Sequence, residues 1–219
     1  MSIMVLRTIY RNAKNEISFF RRNLGHQRGR LRLRNRYLDN FIFIHINKTG
    51  GSSIEKALNL PFEHLTASEK IRQIGLERWN SRYTFAVVRN PWDKVVSHYF
   101  YRVQTNQTNM GNGHISFEDW VRLAYGDKDS RFYDKKKMFM PQLNWISNSD
   151  DEIIVDFICR FEKLSNDFEH VCNRVGMPAE LPHVKTSKRG DYRDYYCAET
   201  SEIVHQHFYK DIEKFNYSF

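Results

Sequence analysis

Cysteine is scarce in this chain of 219 residues, which contains only three. Cys159, Cys172 and Cys197 are scattered, with neither a Cys-x-x-Cys pair nor metal-ligand spacing. Long apolar runs are also lacking. The run nearest the start, residues 3–6, is too short for a signal peptide, and nowhere do about eighteen apolar residues follow one another. These absences predict buried thiols in a reducing compartment, and a soluble, cytoplasmic protein without a transmembrane segment.

Acidic residues are outnumbered, because 34 Lys and Arg face 26 Asp and Glu, a formal net charge of +8. The excess implies an anionic partner, and charge alone does not choose among nucleotide, nucleic acid, acidic glycan and lipid surface. The imbalance is steepest in residues 1–40, where ten basic residues face Glu16 and Asp39. This segment is interpreted either as a basic arm for a polyanion or anionic membrane surface, or as a solvated helix and linker.

Residues 41–60 form the stretch around which the chain is organised. Residues 41–46 are apolar on both faces, which is typical of a central parallel strand covered by helices on each side. A Lys, two glycines and three hydroxyls follow, and then apolar residues at helical spacing. A strand, glycine loop and helix in this order can cradle a phosphate or sulfate group. The loop is not a Walker A motif, because Lys48 precedes its glycines; the alternative is an ordinary turn capped by Ser52.

A second unit of the same kind spans residues 83–103. Residues 84–88 predict another buried strand, and Asn90 and Pro91 predict the N-cap and first position of a helix. Arg89 is thereby placed at the carboxyl end of a parallel strand, where open α/β sheets bind ligands. Arg89 and Ser97 suit a second phosphate group; the alternative for Arg89 is a structural salt bridge. The length allows a single α/β domain, residues 41–219, with a central, mostly parallel sheet flanked by helices.

The two motifs together resemble those of the sulfotransferases that use 3'-phosphoadenosine 5'-phosphosulfate (PAPS). Residues 45–53, His-Ile-Asn-Lys-Thr-Gly-Gly-Ser-Ser, resemble the family's 5'-phosphosulfate loop, His-x-Pro-Lys-Thr-Gly-Gly-Thr-Ser. Residues 89–97, Arg-Asn-Pro-Trp-Asp-Lys-Val-Val-Ser, resemble its 3'-phosphate motif, Arg-Asn-Pro-x-x-Arg-x-x-Ser. Residues 141–142, 155–162 and 211–217 are similar to further landmarks of the carbohydrate branch, Golgi-type or heparan 2-O-sulfotransferase-like, here in a soluble, bacterial-like form. Asn47 and Lys94 depart from the motifs.

The resemblance implies a P-loop-like three-layer fold and transfer of a sulfuryl group from PAPS to an acceptor hydroxyl, with 3',5'-adenosine bisphosphate as the product. It implies Lys48 as the cation at the leaving oxygen and His64, in the connection after the first helix, as the general base. His114 and Glu63 are the alternative bases. The expected nucleotide contacts are Lys48, Thr49, Gly50, Gly51, Ser52, Ser53, Arg89 and Ser97, together with Lys188 and Arg189 from a later loop. No metal is expected.

The remaining segments are assigned more coarsely. Residues 104–150 are interpreted as an insertion between core elements. The resemblance implies that this insertion shapes the acceptor site and that the acceptor is a glycan. Ser68 is expected to cap a short helix that continues to Leu76, and residues 153–158 to form a third strand. Two other functions are possible. A nucleotide kinase would have the lysine of its phosphate loop after the glycines, an order that is missing here. A non-enzymatic polyanion binder would explain the positive charge but not the two motifs. Nucleic acid is not the expected partner.

Overall fold

In the computed structural model the described residues are 3–112, 115–178, 180–181 and 190–219. Three strands form one sheet in the order β1-β2-β3: β1 Phe41–Ile44, β2 Tyr83–Val88 and β3 Phe157–Arg160. Both pairings are parallel, with Phe41 opposite Tyr83 and Phe85 opposite Phe157. The α-helices are α1 Ile3–Asn23, α2 Gln27–Tyr37, α3 Gly51–Ala57, α4 Ala67–Ile74, α5 Leu76–Asn80, α6 Pro91–Gln104, α7 Phe117–Val121, α8 Lys136–Phe139, α9 Leu143–Ile146, α10 Leu164–Val175, α11 Ala198–His207 and α12 Tyr209–Phe215.

The sheet is buried on both faces. On one face Phe85 and Val87 pack with α3 and α10, and on the other Ala86 and Val88 pack with α4, α5 and α9. Successive strand residues alternate between the two cores, as the pleat requires. A third core lies beside the sheet, between α6, α7, α8, α11 and α12. The predicted α/β fold with a parallel sheet flanked by helices is confirmed.

The expected third strand is wrong in its bounds, since β3 begins at Phe157 instead of residue 153. The carboxylate of Asp156 accepts hydrogen bonds from the backbone N–H and the hydroxyl of Thr84, at 2.7 Å and 2.8 Å. Ile154 instead donates its N–H to the carbonyl of Ile146, on the other side. The N–H of Asp156 also donates to the carbonyl of Thr84 at 2.9 Å, so contact with β2 begins at Asp156. The apolar residues before it, Ile153, Ile154 and Val155, pack against the core instead of joining the sheet.

The expected cap of α4 is also wrong. The N-cap is Thr66, whose hydroxyl accepts from the N–H of Glu69 while the Glu69 carboxylate accepts from the N–H of Thr66. This reciprocal capping box satisfies two helix-end donors, whereas Ser68 lies inside the first turn. The helix ends at Ile74, and Gly75, with φ of 92°, separates it from α5. By contrast, Asn90 caps α6 as predicted, with Pro91 at its first position.

The N-terminal helices contact the α/β core through arginines. Arg34 of α2 donates to the carbonyl oxygens of Leu58 and Asn59, at 2.8 Å and 2.9 Å. Arg82, just before β2, donates in return to the backbone carbonyls of Asn35 and Arg36. These contacts place α2 against the connections of the sheet. Within the described ranges, no helix is both long and apolar enough to span a bilayer.

Candidate active site

A cleft of about 1960 Å³ opens at the carboxyl ends of β1 and β2. Because these strands are parallel neighbours, the loops that follow them emerge side by side at this edge of the sheet. The cleft brings together both phosphate motifs and the proposed base: its lining includes Lys48, Gly50, Gly51, Ser52, Ser53, His64, Arg89 and Ser97. Thr49, the other predicted contact, is fully buried beneath the loop.

The loop after β1 is held in a left-handed backbone conformation at two positions. Lys48 has φ of 65° and Gly50 has φ of 85°, which L-residues other than glycine and asparagine seldom adopt. The hydroxyl of Thr49 donates to the carbonyl of Ile46 at 2.9 Å, and the side-chain amide of Asn47 donates to the carbonyl of Met138, also at 2.9 Å. Asn47, where the family pattern has Pro, thus anchors the loop entry to the segment before α9.

Gly51 is required by the close approach of a histidine. A Cβ added at Gly51 would lie 2.1 Å from Cδ2 of His45, far inside van der Waals contact. The His45 imidazole is itself buried and its Nδ1 lies 2.8 Å from the carboxylate of Glu55, on α3. The glycine therefore makes room for a buried His–Glu pair directly beneath the loop.

His64 stands at the cleft wall with one ring nitrogen fixed. Its Nδ1 lies 2.9 Å from the carbonyl oxygen of His45, and its ring centroid lies 4.3 Å from that of His45. Because a carbonyl oxygen can only accept, Nδ1 of neutral His64 carries the proton and Nε2 carries the lone pair. Burial lowers the pKa of His64 below its ordinary value, and the positive charge of Lys137 acts in the same direction. The geometry presents a neutral imidazole that can accept a proton at Nε2.

Lys48 supplies a positive charge to the cleft lining. Its Nζ lies 4.1 Å from the centre of the Tyr101 ring, a cation–π contact, and its carbonyl accepts from Nη1 of Arg89 at 3.1 Å. That second contact joins the two motifs directly. The conformation of the loop and the position of Arg89 therefore depend on each other.

Arg89 is buried and held on several sides. Its guanidinium pairs with Asp93 one helical turn later, at 2.7 Å, and stacks 3.8 Å from the centre of the Phe161 ring. Its backbone N–H and carbonyl are both bridged by the fully buried side chain of Gln142. The salt bridge considered from the sequence is thus present, and Arg89 also lines the cleft. Binding of a phosphate by Arg89 stays a prediction.

Lys94 does not reach the cleft, although it occupies the position of the family's second Arg. It is almost completely buried, and within the described part of the chain its Nζ has no hydrogen-bond partner. Burial lowers the pKa of Lys94 to about 8, against the opposing attraction of Asp211. Asp211, also buried, accepts from the backbone N–H groups of Gln142 and Leu143. The substitution of Lys for Arg leaves a buried ammonium without the reach of a guanidinium fork.

Of the alternative bases, Glu63 is placed less favourably than His64. Glu63 pairs with Lys70 at 2.9 Å and with Arg32 at 3.7 Å, on the side of α2. His114, Lys188 and Arg189 fall outside the described residues. Among those that are described, no three His, Cys, Asp or Glu side chains come together as a metal site.

Sequence reasoning missed three supporting residues. Glu55 holds His45, Gln142 brackets Arg89, and Glu162 accepts from the backbone N–H of Asn90 at 2.6 Å. Gln142 and Glu162 fall in stretches that resemble family landmarks, so a signal existed although no role was assigned. The sequence contained no signal for the role of Glu55, because a carboxylate on a short helix usually faces solvent.

Comparison with known proteins identifies the family of the chain. The chain is 30% identical over 126 residues to an uncharacterized protein of Archaeoglobus fulgidus, covering 55% of this chain and 91% of that protein. A crystal structure of a sulfotransferase from Alicyclobacillus acidocaldarius aligns over 83% of this chain and 97% of its own, with 13% identity and a TM-score of 0.45. The model of the sulfotransferase family matches residues 34–218, nearly the whole chain. This chain therefore belongs to the sulfotransferase family.

Proposed function

We propose that this sulfotransferase uses PAPS as its donor and transfers the sulfuryl group to a hydroxyl of a carbohydrate acceptor. The observation that carries the proposal is the cleft at the ends of β1 and β2, which is lined by both phosphate motifs and by His64. A donor with phosphate groups on both sides of a ribose needs two anion sites near each other. The Lys48–Ser53 loop and the Arg89–Ser97 pair are two such sites on adjacent strands.

The loop suits the donor because its two glycines carry no side chains and are packed directly against their neighbours. A Cβ at Gly50 would contact Phe161 and Leu164 at 3.1 Å, and one at Gly51 would collide with His45. The two glycines let an anion approach the backbone closely. Lys48 adds a full positive charge, and Ser52 and Ser53 add hydroxyls. Lys188 and Arg189 remain proposed contacts from the later loop.

The proposed reaction is an in-line displacement at sulfur. The acceptor oxygen forms a new bond to sulfur as the bond between sulfur and the bridging phosphate oxygen breaks, and 3',5'-adenosine bisphosphate leaves. Negative charge grows on that bridging oxygen, and Lys48 stabilises it more in the transition state than in the ground state. Nε2 of His64 takes the proton of the acceptor hydroxyl, which makes the oxygen nucleophilic. The products are the sulfate ester, the bisphosphate and a protonated His64.

Further residues of the cleft lining support a polar, ring-shaped acceptor. They are the aromatic rings of Phe62 and Tyr101, the amides of Gln104 and Gln107, and Lys135. Flat apolar faces and amide groups suit the two faces and the hydroxyls of a sugar. Several of these residues belong to 104–150, which we propose as the insertion that shapes the acceptor site of a domain spanning 41–219. A reducing, cytoplasmic location is proposed from the three cysteines, none of which forms a disulfide.

The test is calorimetric titration with 3',5'-adenosine bisphosphate and, separately, with ATP and magnesium. Wild type, Lys48→Ala and Arg89→Ala are compared. We expect tight binding of the bisphosphate without added metal, weakened by both substitutions. Better binding of ATP with a requirement for magnesium would support a nucleotide kinase instead. Failure of both nucleotides to bind would mean that the cleft is not a nucleotide site and would favour the polyanion binder.

A further inference from the structure

Helix α1 contacts the rest of the chain along one side. Glu16 pairs with Arg36 of α2 at 2.6 Å and with Arg78 of α5 at 3.3 Å. The Phe19 ring lies 4.5 Å from the Arg36 guanidinium carbon, and Asn23 is buried with its backbone close to Gly29 of α2. At 100° per residue these three side chains fall on one side of α1. Side chains on the other sides, such as Lys14 and Ile17, are exposed.

A second side of α1 carries an exposed apolar stripe, defined here as Tyr10, Ala13, Ile17, Phe20 and, directly after the last residue of the helix, Leu24. The spacing of three and four residues aligns them along the helix. Their large members are far more open than core residues: Tyr10 is 71% exposed, Ile17 55%, Phe20 45% and Leu24 57%. A continuous exposed apolar stripe along a helix indicates a surface that is covered by something else.

A third side of α1 is basic. It consists of five exposed residues, Arg7, Arg11, Lys14, Arg21 and Arg22. Within the described part of the chain none of the five has an ion-pair partner. The single acidic residue of α1, Glu16, is already taken up by the contacts with Arg36 and Arg78. The outward surface of the helix is therefore apolar along one strip and purely cationic along the next.

We propose that α1 binds the surface of an anionic lipid bilayer, lying in the plane of the interface. An interfacial helix needs an apolar strip that enters the acyl boundary and lysines and arginines that meet the headgroups, and α1 has both. The contacts of Glu16 and Phe19 hold the helix so that both strips face away from the domain. The proposal does not depend on sulfuryl transfer.

Charge favours a bilayer over a second copy of the chain. In a helix pair that meets along the stripe, Lys14 and Arg21 would flank the contact, because they directly follow Ala13 and Phe20. Both positions are positively charged, so they would repel one another across the helix pair. Glu16, which could offset the positive charge, is already paired with Arg36 of its own chain. An anionic lipid surface offers the opposite charge along the whole basic strip, and each Lys or Arg near it adds to the binding.

The experiment is sedimentation of the full chain with vesicles of phosphatidylcholine, with and without about 30 mol% phosphatidylserine. Two double variants remove one strip each: Ile17→Ser with Phe20→Ser, and Arg11→Gln with Arg21→Gln. The matched controls are Leu38→Ser and Arg131→Gln, which alter an exposed apolar and an exposed basic residue outside α1. Wild type and controls are expected to bind the anionic vesicles, and each double variant to bind at least about tenfold more weakly.

A direct probe of insertion uses Tyr10→Trp. Its fluorescence emission should shift to shorter wavelength on anionic vesicles relative to wild type, and should be quenched by lipids labelled in the acyl chain. The thermal unfolding midpoint of each variant checks that the domain remains folded. Equal binding by wild type and both double variants would overturn the proposal. The proposal would also be overturned if wild type did not bind vesicles and instead formed a dimer in sedimentation equilibrium that the Ile17→Ser, Phe20→Ser variant abolishes. The stripe would then be the contact between two copies of the chain.

Discussion

Nδ1 of His64 lies 2.9 Å from the carbonyl oxygen of His45, the residue that leads from β1 into the phosphate loop. The contact ties the proposed base to the backbone of the proposed donor site, and it leaves the lone pair on Nε2. Behind it the His45 side chain is fixed by Glu55, whose carboxylate also accepts from the N–H of Glu63 at 3.3 Å. One carboxylate thus orients both the loop after β1 and the connection that carries His64.

His64→Ala is expected to lower kcat at least about a hundredfold, because general-base catalysis contributes ~10²–10⁴-fold. Affinity for 3',5'-adenosine bisphosphate should stay within about threefold of wild type, since the ring stands beside the loop and is not one of its anion contacts. The measurements are sulfuryl transfer at saturating donor and calorimetric titration. His170→Ala, which alters an exposed histidine on α10, is the control. Normal turnover, or loss of nucleotide binding, would rule out the role.

The pH dependence of kcat/KM should report the lowered pKa of His64. A base acts in its neutral form, so activity is lost as the pH falls through the pKa of the free enzyme. Because burial lowers that pKa, the acid limb is expected below pH 6.5. Lys137→Met removes a positive charge that disfavours the imidazolium, so it should move the acid limb to higher pH. An acid limb that is unchanged in Lys137→Met and lies above pH 6.5 in wild type would contradict the assignment.

Lys48→Met is expected to reduce kcat by about 10²–10³-fold, the usual cost of removing one group that stabilises a leaving oxygen. The loss should exceed any loss of bisphosphate affinity, since the charge on the bridging oxygen develops only in the transition state. Lys136→Met, on an exposed side of α8, is the control. A variant whose KM for the donor rises while kcat is unchanged would show that Lys48 only binds.

Gly51→Ala tests the close approach of the loop and His45. The added Cβ would lie 2.1 Å from the ring, so the loop or the His45–Glu55 pair must move. We expect a loss of about 1–3 kcal/mol in the free energy of unfolding and weaker bisphosphate binding. The control is Gly126→Ala, where the nearest atom to the added Cβ is 3.6 Å away. Unchanged stability and affinity in Gly51→Ala would mean that the contact has no consequence.

The elements around the site were predictable where a local pattern dictates them. The strands before the two motifs are nearly unbroken apolar runs, and Asn90-Pro91 is a local start signal for α6. The sequence also predicted which loops share one edge, since parallel strands end together. The structure adds that Arg89 contacts the carbonyl of Lys48, a geometry that spacing cannot supply.

The incorrect predictions failed because they depended on contacts between distant residues or on a choice between two similar residues. The start of β3 depends on Asp156 finding Thr84, which lies 72 positions earlier. The cap of α4 was open to two hydroxyl residues, and the reciprocal bond with Glu69 selects Thr66 over Ser68. The role of Glu55 depends on the burial of its helix against β1. A sequence pattern gives the type of residue at each position, but it does not identify the residue that this side chain contacts in the folded protein.

Lys94→Met tests the buried ammonium beneath the site. In wild type the pKa of Lys94 is about 8 in the folded state and 10.5 in the unfolded state. Between these pH values the unfolded chain holds a proton that the folded chain has released, so the free energy of unfolding rises with pH. Relative to Lys94→Met, wild type should gain roughly 3 kcal/mol between pH 8 and pH 10.5. Urea unfolding of both proteins across this range measures the difference.

The same comparison with Lys136→Met separates burial from the mere loss of a lysine. Lys136 is exposed, so the stability of that variant should run parallel to wild type over the whole range. Burial lowers the pKa of Lys94, which occupies a position where the family pattern has Arg and whose Nζ has no hydrogen-bond partner among the described residues. Lys94→Arg should remove the pH-dependent gain, because a guanidinium stays protonated throughout. A gain that persists in Lys94→Arg would assign it to another group.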